Sequence, residues 1–184
     1  MNFKETEKEL GKFAKYVIQQ ARRNLTREGK KTTSSLYDSL DYQIELEKGA
    51  LLVNFIMEDY GEFVDQGVKG KSPYSLPKGA KWHGIQKAPT SPFKFGRNKS
   101  KGLRAAINRW TIQKGIKGIR DSKGRFIGRK SLQFLITRSI YLSGLRATLF
   151  FTKPFNKGLQ RFTDKFLNAF ALDVENGIIL GTKK

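Results

Sequence analysis

Apolar residues recur at three- and four-residue steps along the first stretch of the chain. Phe3, Leu10, Phe13, Ala14, Val17, Ala21 and Leu25 form one stripe, which predicts an amphipathic helix over 3–27 packed onto a core. Glu5, Glu7 and Glu9 near its start and Arg22, Arg23 and Arg27 near its end complement the helix dipole, and Gly29 is the expected stop. A polar linker (30–35) follows, then a short helical turn over 36–40 with Ser34 or Ser35 as its cap. The period then changes to two. Residues 41–47 place Tyr42, Ile44 and Leu46 on one face, Lys48-Gly49 reads as a tight turn, and 50–57 is apolar and rich in β-formers. Together these predict a hairpin.

The stretch Tyr60-Gly61-Glu62-Phe63-Val64-Asp65-Gln66-Gly67-Val68-Lys69-Gly70 separates two regimes. It reads as a strand or short helical turn that carries the chain from a compact core to a long excursion over 71–101. Its three glycines permit positive φ or the close approach of a second backbone. The excursion lacks periodicity and holds Pro73, Pro77, Pro89 and Pro92 among Tyr74, Trp82, Phe93 and Phe95. Loops of that length are commonly functional. Aromatics among basic residues stack on nucleic-acid bases or anchor a loop on a neighbouring protein, and the second role is favoured here.

Further on, 103–113 reads as a helix with Leu103, Ala106, Ile107 and Trp110 on one face. A polar turn over 121–127 leads into a short extended piece. A second helix over 130–142 is lined by Leu132, Leu135, Ile136, Ser139, Ile140 and Leu142. Phe150, Phe151 and Phe155 beside Pro154 read as a buried plug or a subunit contact. A third helix is expected over 158–172, and Ile178-Ile179-Leu180 as an edge strand.

Charge changes the picture most. The 184 residues hold 36 Lys and Arg against 16 Asp and Glu, a net charge of +20. Such a balance points to a polyanionic partner, most often nucleic acid. It is unevenly spread. Between Gly67 and Lys130 lie eighteen bases and one acid, Asp121, whereas between Asp38 and Asp65 lie eight acids and one base, Lys48. A basic arm of one subunit reaching the acidic face of the next would be a head-to-tail contact, which closes into a ring if the rotation allows.

There are no cysteines, which excludes disulfides, thiolate metal sites and thiol nucleophiles. The only histidine, His83, has no neighbouring carboxylate in sequence, so no metal site is expected. The N-terminal residues lack the apolar stretch of a signal peptide, and no run of about 18 apolar residues predicts a membrane span. Carboxylates such as Glu45 and Glu47 alternate opposite Ile44 and Leu46, which marks a solvent face rather than a magnesium site. No nuclease signature orders them, and no catalytic, cofactor-binding or metal-binding residue is assigned.

The order of these pieces resembles the neck, or tail-completion, proteins of tailed bacteriophages: amphipathic helix, Thr/Ser linker with Leu36-Tyr37-Asp38-Ser39-Leu40, hairpin, the 60–70 stretch and a basic loop. In that family a Tyr…Phe/Tyr-Val-Glu/Asp-x-Gly element follows a small sheet and precedes a long loop. Tyr60, Phe63, Val64, Asp65 and Gly67 match it. The second half is similar to the version in crAss-like and other Bacteroidota phages, on Asp121-Ser122-Lys123-Gly124-Arg125-Phe126, Ser131-Leu132-Gln133-Phe134-Leu135-Ile136 and Leu149-Phe150-Phe151-Thr152-Lys153-Pro154-Phe155. The likeness covers roughly 3–173 and departs from shorter members in the long basic excursion.

The resemblance implies a single connector-type α+β domain over 1–184. A small, mostly antiparallel sheet is packed by the N-terminal helix and two or three later helices, with a basic Gly/Pro-rich arm within 67–130. It implies a non-enzymatic virion subunit without cofactors, forming a ring of twelve or six copies in the neck or tail. Its partners are the portal or other neck and tail rings, and phage DNA in the lumen; no membrane is involved. Its place is the virion, after assembly in the bacterial host cytoplasm. The expected subunit-interface residues are Tyr60, Phe63, Asp65, Gly67, Gly70, Trp82, Phe93, Phe95, Phe150, Phe151 and Phe155. Those expected to face DNA or an acidic partner are Lys94, Arg97, Lys99, Lys101, Arg104, Arg109, Lys123, Arg125, Arg129 and Lys130. The alternative, resting on charge alone, is a sequence-independent DNA-binding protein.

Overall fold

A computed structural model describes residues 3–29, 35–96 and 100–182. The fold is α+β, with helices and small antiparallel two-stranded sheets. The chain divides into two compact units, one formed by Met1–Gly61 with Leu149–Lys184 and the other by Glu62–Thr148.

In the first unit α1 (Lys4–Arg27) buries the expected stripe, with Phe13, Ala14, Val17, Ala21 and Leu25 inside. It ends where Gly29 adopts φ +64° and its N–H bonds the Thr26 carbonyl at 3.1 Å, a left-handed stop that glycine takes without a Cβ penalty. The short helix α2 (Ser35–Ser39) is tied to α1 by Arg22, which donates to the Tyr37 and Leu40 carbonyls at 3.1 and 2.9 Å. Strands β1 (Asp41–Glu47) and β2 (Ala50–Ile56) pair antiparallel, with Tyr42 opposite Phe55, Ile44 opposite Val53 and Leu46 opposite Leu51. Their turn has positive φ at both Lys48 (48°) and Gly49 (86°). This is the mirror-image turn whose twist suits a hairpin.

The last helix departs from expectation. Phe150, Phe151 and Phe155 do form a buried plug, but the helix expected over 158–172 starts earlier and runs further, and Ile178-Ile179-Leu180 is not an edge strand. A single helix, α6, runs over Thr152–Thr182. Pro154 sits in its first turn, where a missing N–H disrupts no helical bond. Gly158 and Gly177 are carried as interior residues.

Helix α6 packs antiparallel to α1. Residue Asp173 meets Glu5 and Thr6, Phe162 meets Phe13, and the Phe150 carbonyl before the helix meets Asn24. The core lies between them and the hairpin. Phe13, Val17 and Phe162 are buried, with Tyr16, Phe55, Phe151, Phe155 and Phe166 packed around them. Phe13 meets the rings of Phe55, Phe155, Phe162 and Phe166 edge-on, with centroids 5.6 to 6.1 Å apart. Each such pair adds roughly 0.5–1.5 kcal/mol to simple burial.

The 60–70 stretch, which belongs to the second unit from Glu62 on, resolves into a helix, α3 (Gly61–Gln66), and a two-residue strand, β3 (Val68–Lys69). A 3-10 turn at Pro73–Ser75 opens an excursion that otherwise proceeds through turns. Helix α4 (Ser100–Gln113) ends in a Schellman motif: Gly115 takes φ +64° and donates to Ile112, and Ile116 donates to Thr111. Strands β4 (Gly118–Arg120) and β5 (Phe126–Gly128) form a hairpin that leads into α5 (Arg129–Ser143). Strand β6 (Gly144–Leu145) pairs antiparallel with β3.

Helix α4 does not bury the face read from its sequence. Ala106 and Trp110 are exposed and Thr111 is fully buried. On α5, likewise, Leu135 is exposed while Gln133 is buried. The reason is a polar contact between the helices. The Gln133 amide donates to Asn108 Oδ1 at 2.7 Å and to Thr111 Oγ1 at 3.0 Å. Apolar periodicity carries no trace of such a bond.

Candidate interaction surfaces

Counted over each compact unit, the charge separates sharply. Residues 62–148 hold twenty Lys and Arg and three acids, a net +17, while the remainder of the chain holds sixteen and thirteen, a net +3. Helices α4 and α5 and the β4–β5 hairpin expose much of this charge. Arg104 and Arg109 are exposed on α4, Lys123 and Arg125 in the hairpin turn, and Arg129 and Lys130 in the first turn of α5. Lys94 is exposed in the excursion, where it bridges to Lys69. Arg97 and Lys99 lie outside the described residues, as does the side chain of Lys101.

The hairpin turn uses its one acid internally. Asp121 Oδ1 accepts the Lys123 and Arg125 backbone N–H groups, each at 2.9 Å, and Oδ2 accepts Arg125 Nε at 2.8 Å. The backbone bond from Arg125, with the guanidinium and Lys123 bonds behind it, holds the Asp121 carboxyl below the usual carboxylate range. Arg120 Nη1 closes the turn from the other side by donating to the Gly124 carbonyl at 2.8 Å.

The expected interface residues divide by position. Tyr60 is partly exposed, and Phe63 pairs edge-on with Phe93 at 4.6 Å. Asp65, Gly67 and Gly70 are buried. Gly67 and Gly70 sit in a backbone clasp. A Cβ on Gly67 would lie 2.6 Å from the Ala147 nitrogen, and one on Gly70 would overlap the backbone of Leu142, Ser143 and Gly144. The Gln86 amide pairs with both backbone groups of Gly70, accepting its N–H at 2.6 Å and donating to its carbonyl at 2.8 Å. Ser91 Oγ donates to the Gly67 carbonyl, and Thr148 Oγ1 to that of Val64. Residues 63–70 are thus the hub on which the second unit closes. The partners Gln86, Ser91 and Thr148 were not singled out from sequence, because a polar residue in a loop gives no sign of its distant acceptor.

Trp82 is half-buried, with the ammonium groups of Lys87 and Lys81 4.4 and 5.3 Å from its ring centre. Burial pulls Lys87 below the ordinary lysine range. His83 Nδ1 lies 2.8 Å from the Leu76 carbonyl. Phe95 packs on Tyr141 at 5.5 Å. In the first unit Phe150 is fully buried, and Phe151 and Phe155 belong to the aromatic core.

A second surface had no counterpart in the sequence reading. The distal part of α6 exposes Leu167, Phe170, Leu172, Ile178 and Ile179. Phe170 stacks on Phe3 at 6.2 Å, near the start of α1. Beside it, Asp173 is almost completely buried and caps α1 from across the unit. Its carboxylate accepts the N–H groups of Glu5 (3.0 Å) and Thr6 (2.8 Å) and the Thr6 hydroxyl (2.7 Å). Burial pushes this carboxyl up, but the three hydrogen bonds outweigh it, and the group lies below the usual carboxylate range.

Among the described residues no three His, Asp or Glu side chains come together as metal ligands, and no helix is long and apolar enough to cross a membrane. Comparison of the chain with protein-family models, curated proteins and solved structures returned no match.

Proposed function

We propose that this chain is a non-enzymatic structural subunit of a bacteriophage neck or tail. It assembles into a homo-oligomeric ring of six or twelve copies through which the genome passes. The observation that carries this reading is the partition of charge, +17 on the compact unit 62–148 and +3 on the rest. Lys and Arg contacts to phosphate hold DNA without reading its sequence, as the wall of a channel requires. The exposed apolar turns of α6 supply a surface for subunit contact, since monomers rarely leave such patches uncovered. The resemblance in the order of motifs supports a position between portal and tail, in contact with the portal or other neck and tail rings. By this reading the protein works in the virion and assembles in the host cytoplasm.

Native mass spectrometry at low and high salt tests the assembly. The expected species are six or twelve times the 21.0 kDa chain, and they persist at high salt because apolar contacts are not screened. A monomer at every salt concentration, still monomeric when the portal is added, overturns the proposal. In that case the same charge partition favours the second reading, a sequence-independent DNA-binding protein acting with phage DNA.

A further inference from the structure

The β4–β5 hairpin is the place where charge, exposure and rigidity coincide. Cross-strand pairing sets Arg120 opposite Phe126 and Gly118 opposite Gly128, on the face away from Ile119 and Ile127. The Phe126 ring lies over Gly118, where a Cβ would fall 2.6 Å from its Cζ, yet the residue is 66% exposed. An aromatic side chain is thus held in place and presented outward beside a guanidinium. Lys123 occupies the turn, which the Asp121 carboxylate and Arg120 fix from both sides. The only acid of the region is neutralised by Arg125 within the same turn. The hairpin runs directly into α5, whose first turn carries Arg129 and Lys130, no acid and no side-chain cap. Cations at that end oppose the helix dipole, and a bound anion relieves the opposition.

We propose that this hairpin, with the first turn of α5, is a preformed contact for the backbone of duplex DNA. Arg120 and Lys123 engage phosphates and the Phe126 ring packs in the adjoining groove. A two-stranded ribbon fits the major groove, about 12 Å wide. Fixing the turn before binding reduces the ordering cost. Duplex DNA suits the site better than an acidic protein face because the surplus of bases continues over the whole unit. DNA offers a matching continuous charge, about one phosphate per 1.7 Å of axis. The inference takes from the proposed function only that DNA is the polyanion met.

The test is fluorescence anisotropy of the full chain with a labelled mixed-sequence duplex across a salt series. Two double variants remove the same net charge: Arg120→Gln with Lys123→Gln in the hairpin, and Lys153→Gln with Lys157→Gln on α6. The hairpin variant is expected to reduce the slope of log affinity against log salt by about 1.8, at roughly 0.9 per phosphate contact, and the α6 variant to leave it unchanged. Phe126→Ala is expected to weaken binding severalfold at an unaltered slope, and Arg120→Lys with Lys123→Arg to restore the slope. Circular dichroism establishes that each variant is folded. Equal slopes for both double variants, or no binding by the parent chain, overturn the assignment. A chain that stays monomeric yet shows the hairpin-specific loss keeps this inference and removes the ring. A ring whose DNA binding ignores the hairpin does the reverse.

Discussion

Gly158 shows how closely one residue is fitted. It lies inside α6, where alanine would ordinarily gain about 1 kcal/mol of helix propensity. A Cβ there would fall 2.8 Å from Phe13 Cε2 and 3.3 Å from Tyr16 Cδ1, and the Phe13 ring is wedged among four others. Gly158→Ala is therefore expected to lower stability by about 1–3 kcal/mol, the usual cost of overpacking, despite the better propensity; chemical denaturation measures it. The reverse case is Lys48, which holds φ +48° in the hairpin turn. Asparagine tolerates that conformation, so Lys48→Asn is expected to add up to about 1 kcal/mol, read as a higher denaturation midpoint.

Asp173 makes a prediction about pH. Its folded-state carboxyl lies below the ordinary carboxylate range, so its contribution is fully present above the unfolded value of about 3.9. The contribution is lost as pH falls through the lower folded value. Asp173→Ala removes the cap and is expected to cost about 1 kcal/mol near neutral pH, within the 0.5–2 kcal/mol range of such caps. The difference from the parent protein should shrink below about pH 4, where the parent carboxyl protonates. Thermal unfolding from pH 7 to pH 2.5 measures it, and a difference that stays constant across that range would contradict the role.

At the scale of elements, the distal turns of α6 let folding and the proposed assembly be tested apart. Ile178 is 61% exposed, so Ile178→Asp is expected to change monomer stability by no more than about 0.5 kcal/mol, as for most surface substitutions. The same change is expected to reduce the native mass to the single chain. An unchanged ring mass would remove this end of α6 from the subunit contact.

The elements were legible where one periodicity ran uninterrupted. The stripe of α1 and the alternation of β1 and β2 carried those elements nearly to their observed ends, and Gly29 marked the stop of α1. Helix α6 was misread because Pro154, Gly158 and Gly177 look like breakers and Ile178-Ile179-Leu180 looks like a strand. In the fold Pro154 falls in the one turn that tolerates it, and the glycines are carried inside the helix. Strands β3 and β6, two residues each, were not legible, nor was the α4–α5 contact through Gln133. The cap on α1 was invisible for a simple reason: Asp173 stands 168 positions from Glu5.

For the whole molecule, the basic block was plain in the sequence, but its concentration in one compact unit was not. The other unit is made of two distant segments, Met1–Gly61 and Leu149–Lys184, and no composition shift marks the return. Of the candidate site, Lys123, Arg129 and Lys130 were legible in the sequence, whereas Arg120 and Phe126 were not, and none of its geometry was. Nothing in the order of residues says that Asp121 is neutralised by Arg125 within its own turn, or that Phe126 lies over Gly118.

The central claim, a ring that surrounds DNA with the basic unit of each copy, is tested most directly by electron cryo-microscopy of the assembled protein. The account predicts a closed ring of six or twelve copies, an opening wide enough for duplex DNA, and residues 118–130 on the wall of that opening. A ring with those residues on its outer surface, or an assembly without a central opening, would contradict it.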